Sequence, residues 1–75
     1  MKQIYDMSAE EIRELVKQYI EHGVISRAIQ CYERLLWLGE LRQREYLQLA
    51  ILYALNNNTL AMTSVICRYK ILINK

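Results

Sequence analysis

Tyr46-Leu47-Gln48-Leu49-Ala50-Ile51-Leu52-Tyr53-Ala54-Leu55 is the stretch on which the fold turns. On a helix, Tyr46, Leu49, Ala50 and Tyr53 share one face, while Leu47, Ile51, Ala54 and Leu55 point elsewhere. A helix that is apolar on both sides must be covered on both sides. The stretch therefore predicts a helix over roughly residues 41–55 that has more than one packing partner.

Working outward, Asn56-Asn57-Asn58 predicts the turn that follows, because asparagine tolerates the left-handed conformation. A last helix is expected from about Thr59 to Ile73, with Met62, Ile66, Tyr69 and Ile73 on its inner stripe. Upstream, Gly39 closes a helix running from about Ser26 to Leu38, with Ala28, Tyr32, Leu35 and Leu36 inside. Gly23 closes a first helix that runs to about His22 and carries Ile12, Leu15 and Tyr19 at helical spacing. Ser8, with Glu10 and Glu11 just after it, starts that helix as a cap with acids in the first turn. All connections are short, so successive helices should pack antiparallel.

The bulk numbers agree. A chain of 75 residues has room for one domain, and 53% hydrophobic residues exclude a disordered, charge-driven tail. Proline is absent and glycine occurs twice, too few for a turn-rich β fold. The expectation is an all-α single domain: a tail over 1–7, a first hairpin over 8–39 and a second over 40–75.

Self-comparison yields the most specific signal. Ile12 and Tyr46 are 34 residues apart, as are Leu15 and Leu49, Val16 and Ala50, Tyr19 and Tyr53. Gly23 matches Asn57, Ala28 matches Met62 and Tyr32 matches Ile66 at the same interval. A period of 34 is that of the tetratricopeptide repeat. The chain resembles that family from residue 9 to residue 73. The family's first helix takes a large residue, a leucine, a small residue and a tyrosine, and Tyr46, Leu49, Ala50 and Tyr53 supply all four. Ile12, Leu15, Val16 and Tyr19 follow the pattern except that Val16 is not small. Ala28, Tyr32 and Leu35 fit the second helix. In the second copy either Ala61 or Met62 takes the alanine's place, and Glu40 stands where the family usually has proline. The resemblance implies two tetratricopeptide-like antiparallel hairpins, with Leu15, Tyr19, Ala28, Tyr32, Leu49, Ala50 and Tyr53 buried.

Repeat arrays bury their cores between neighbours, and two uncapped repeats leave apolar faces over. The resemblance implies a concave groove lined by the first helix of each repeat. Partner-binding residues are then expected at Ile20, Leu47, Ile51, Ala54 and Leu55, facing an amphipathic helix laid in the groove. The competing expectation is that the last helix or the N-terminal tail folds over Leu47 and Ile51. A second contact surface is expected on the last helix at Ala61, Val65 and Leu72.

A very small tetratricopeptide-like protein with an apolar groove resembles the needle-subunit co-chaperones of bacterial type III secretion. That resemblance implies a chaperone that covers the amphipathic helix of a secreted or needle-type protein and prevents its premature polymerisation, with a second small helical co-chaperone in the complex. Two other readings stay open: an adaptor or structural subunit of the same fold with an unrelated peptide ligand, and a nucleic-acid-binding helix-turn-helix protein. The formal net charge of +2, with Arg68, Lys70 and Lys75 scattered rather than clustered, weighs against nucleic acid.

Residues that look chemical have simpler readings. Glu10, Glu11 and Glu14 lie where the helix N-terminus favours acids, and His22 where a C-terminus favours a cation. Cys31 and Cys67 have no neighbouring histidine and make no metal site. Cys31, between Gln30 and Tyr32, is expected to lean outward as a small spacer. Trp37 either anchors an interface or covers the end of the core. No enzyme activity, cofactor or metal is expected. The run Leu49 to Leu55 is too short to span a bilayer, and Met1 to Asp6 hold no apolar leader core, so membrane insertion is not expected and the location is read as cytoplasmic.

Overall fold

The computed structural model describes residues 3–74; Met1 and Lys2 of the expected tail, and Lys75 of the three scattered cations, lie outside the described residues. Those residues are all-helical with no strand among them. A 3-10 turn at Ile4–Asp6 precedes four helices: α1 (Ala9–Glu21), α2 (Ile25–Trp37), α3 (Gln43–Leu55) and α4 (Thr59–Ile73). α1 packs on α2 and α3 packs on α4, giving two helical hairpins. The chain divides into two compact units between Leu41 and Arg42.

In the first hairpin, Ser8 caps α1 in both directions. Its hydroxyl accepts from the Glu11 amide at 3.3 Å, and the Glu11 carboxylate accepts from the Ser8 amide at 3.1 Å. The helix ends at Gly23, whose positive φ of 71° turns the chain. The Gly23 amide donates to the Ile20 carbonyl and the Val24 amide to that of Tyr19, which satisfies the last carbonyls of α1. Ile12 and Val16 of α1, and Ala28, Ile29, Cys31, Tyr32 and Leu35 of α2, form the buried core. Leu15 and Tyr19, expected to be buried, are only half-buried, because the inner stripe of α1 centres on Ile12 and Val16. Arg13 ties α1 to the end of α2: its guanidinium meets Glu10 at 3.3 Å and donates to the Glu40 carbonyl.

The second hairpin repeats this plan 34 residues on. α3 occupies the positions of α1, and the first thirteen residues of α4 those of α2. Asn57, with φ 59°, stands for Gly23, and its amide donates to Ala54 while that of Asn58 donates to Tyr53. Helix α3 starts at Gln43, two residues later than the sequence predicts. The Glu45 carboxylate accepts from the Arg42 amide at 2.8 Å and sets the boundary there. Asn58 caps α4, accepting from the Ala61 amide at 3.2 Å. Both connecting turns are the same length, so Met62 stands at the place of Ala28. Ala61 and Met62 are both half-buried. The core here is Leu49, Ala50, Leu52, Tyr53 and Val65.

Three further expectations are corrected. Cys31 does not lean outward; it is 2% exposed. Ala28, Cys31, Tyr32 and Leu35 stand at i, i+3, i+4 and i+7, which is one stripe, and Cys31 belongs to it. Val65 does not belong to an outer surface; it is 4% exposed. It follows Met62 by three residues and precedes Tyr69 by four, so it joins the inner stripe. Ile73, expected on that inner stripe, is exposed at the last residue of α4.

Candidate protein-binding face on the second hairpin

Helix α3 has two apolar sides, and one of them is uncovered. Leu49, Ala50, Leu52 and Tyr53 are buried. On the other side Leu47 is 42% exposed, Ile51 59% and Leu55 64%, and Ala54 is exposed beside them. Leu47, Ile51 and Ala54 follow one another at i, i+4 and i+7, and Leu55 flanks them. The structure thus places four of the five expected partner-binding residues on a single helix face open to solvent. Within the second hairpin, α4 does not cover Leu47 and Ile51. Ile20 is exposed on α1 and belongs to the first hairpin.

The surface on α4 differs from expectation. Leu72 is partly exposed and Ala61 half-buried, but Val65 between them is in the core. The outermost apolar residues of α4 are Leu60, 87% exposed, and Ile71, 67% exposed, with Cys67 exposed on the same side. The sequence reading missed these. The signal was present as the spacing Leu60, Ser64, Cys67, Ile71, a seam at i, i+4, i+7 and i+11.

The polar side chains of the first hairpin are engaged locally. Glu10 pairs with Arg13, Glu11 caps α1, and Glu14 lies 3.8 Å from Lys17. The Nδ1 of His22 lies 2.8 Å from the Gln18 carbonyl. Arg34 is held between two rings, its guanidinium carbon 4.9 Å from the Tyr5 ring centre and 5.0 Å from that of Trp37. Trp37 is largely exposed and lies over Arg34 rather than over the core. Burial pushes the Cys31 thiol above its ordinary pKa, with Arg27 partly opposing, so the thiol stays protonated at neutral pH. Among the described residues no group of His, Cys, Asp or Glu is arranged to hold a metal ion, and no helix is long and apolar enough to cross a membrane.

Comparison with protein-family models, curated proteins and solved structures finds no match to this chain.

Proposed function

We propose that the chain is a protein-binding chaperone module that holds an amphipathic helix of a partner against the open face of α3. The observation that carries the reading is the exposure of Leu47, Ile51 and Leu55 on a helix whose opposite side is already buried. A stripe of that size buries roughly a few hundred Å2 against a partner helix, worth several kcal/mol before ordering costs. Apolar anchors at i, i+4 and i+7 match the way helix-in-groove recognition is built. The 34-residue structural period supports the tetratricopeptide-like reading. Under the resemblance to needle-subunit co-chaperones, the client is a secreted or needle-type subunit that polymerises through the covered helix. A second small helical co-chaperone completes the complex. The chain then acts in the cytoplasm and has no catalytic step.

The test is capture from the native host with the tagged chain, read by mass spectrometry, beside circular dichroism of each variant. Wild type should retain a small protein with an amphipathic helix. Ile51→Asp and Leu47→Asp should lose it while keeping their helical content. Retention of the same protein by a folded Ile51→Asp variant overturns the proposal.

A further inference from the structure

One outer helix face occurs twice in this chain, and only the first copy has an occupant. On α2 the residues Gln30, Glu33, Arg34 and Trp37 share an outward side. The 3-10 turn lies on it, with Ile4 and Tyr5 beside those four residues. Arg34 makes the attachment: its guanidinium faces the Tyr5 ring and donates to the Tyr5 carbonyl at 3.4 Å. Its buried Nε has no hydrogen-bond partner among the described residues, so stacking rather than a full set of hydrogen bonds holds the group.

Adding 34 to those four positions gives Ser64, Cys67, Arg68 and Ile71 on α4. The arginine recurs at the same place, and the aliphatic Ile71 replaces the ring of Trp37. All four residues are exposed. Across α3 and α4 the only acidic side chain is Glu45, which is buried at its cap, whereas Arg68 stands exposed on α4. Arg68 is therefore the cation of this face, with Cys67 and Ile71 as its apolar part; Lys70, two residues on, points to another side of the helix.

We propose that this face of α4 docks a short segment of a partner protein that presents an aromatic side chain together with its backbone carbonyl, the chemistry that Tyr5 presents at the first hairpin. The aromatic ring stacks on the Arg68 guanidinium and rests on Ile71. Its backbone carbonyl accepts from Arg68. A second copy of this chain is the weaker occupant. Its Ile4–Asp6 turn already lies on its own Arg34, so exchange replaces one contact by an equal one, and two α4 faces bring like charges together. The surface is separate from the α3 stripe, and the two proposals stand or fall independently.

Cys67 lies on the face and serves as its native reporter, because Cys31 is buried. A fluorescein-labelled peptide with the sequence of residues 3–8 is titrated into the full chain by anisotropy, and alkylation of Cys67 by iodoacetamide is timed with and without the unlabelled peptide. Saturable binding and slowed alkylation are expected. Arg68→Glu and the milder Arg68→Gln should each weaken binding about tenfold, as should Tyr5→Ala in the peptide. Arg34→Glu in the chain should leave binding intact. Absence of binding, or loss with Arg34→Glu but not with Arg68→Gln, overturns the proposal. So does slowing of Cys67 alkylation by protein concentration alone together with a dimer in sedimentation, which assigns the face to a second copy.

Discussion

On α1 the residues Arg13, Lys17, Ile20 and Glu21 occupy the places that Leu47, Ile51, Ala54 and Leu55 hold on α3. The backbone around them is the same: thirteen-residue helices, a left-handed residue two places past the end, and an amide pair closing the turn. What differs is how each face meets water. The first hairpin ties its polar side chains to one another and to the backbone, through Arg13 to Glu40 and Glu10, and through Lys17 near Glu14. The second leaves aliphatic side chains open to water, at a free-energy cost. Helical geometry follows from the inner positions and the turns, so one backbone carries two surfaces of different chemistry.

The comparison is most sharply broken at its inner positions. Ala28 is fully buried, and its 34-residue counterpart Met62 is half-buried. Ala28→Arg should unfold the first hairpin, with a loss of several kcal/mol from a buried, unpaired charge in a close-packed site. Met62→Arg should cost about 1 kcal/mol, because a long side chain there reaches solvent. Equal losses in thermal melts followed by circular dichroism would mean that the two sites are buried alike and would remove this difference between the hairpins.

The surface difference is tested by exchange. Ile51→Lys and Leu47→Arg give α3 the residues that α1 carries at Lys17 and Arg13. Together they should reduce binding of a hydrophobic dye and any self-association of the free chain, with helical content unchanged. Lys17→Ile and Arg13→Leu should increase both. Dye fluorescence indifferent to all four changes would remove α3 as the open apolar face.

A smaller effect is expected at the turns. Gly23→Ala should cost about 1 kcal/mol through its positive φ alone, since no atom lies within 4 Å of the added methyl position. Asn57→Gly should gain roughly half as much, because asparagine already tolerates that conformation. Denaturant midpoints of the two variants measure the difference.

The smallest effect concerns Cys31 and pH. Its pKa is raised in the folded state by burial, so the unfolded thiol ionises first. The contribution to stability is therefore complete below the ordinary thiol range and is lost as pH rises through it. Cys31→Ala should flatten that part of the stability profile relative to wild type, whereas Cys67→Ala should not. A wild-type profile that parallels Cys31→Ala from pH 7 to above pH 9 would contradict the assignment.

The sequence alone determined the four helices, their two hairpins and the 34-residue period. Helical spacing, short connections, two glycines and an asparagine turn are local properties, and they act before any tertiary contact forms. It also determined that α3 has an apolar side to spare, because ten residues with one polar member cannot fill a single stripe. Which apolar residues end up inside was decided only by tertiary packing. Cys31 and Val65 have the spacing of their inner stripes but flank residues that face outward, and it is the packing of the neighbouring helix that buried both. Leu60 and Ile71 went the other way, since α4 is apolar on more than one side and α3 covers only one. The attachment of Tyr5 to Arg34 was likewise invisible in the sequence. It joins residues 29 positions apart that no helical period relates, and only the folded chain brings the 3-10 turn onto the outer face of α2.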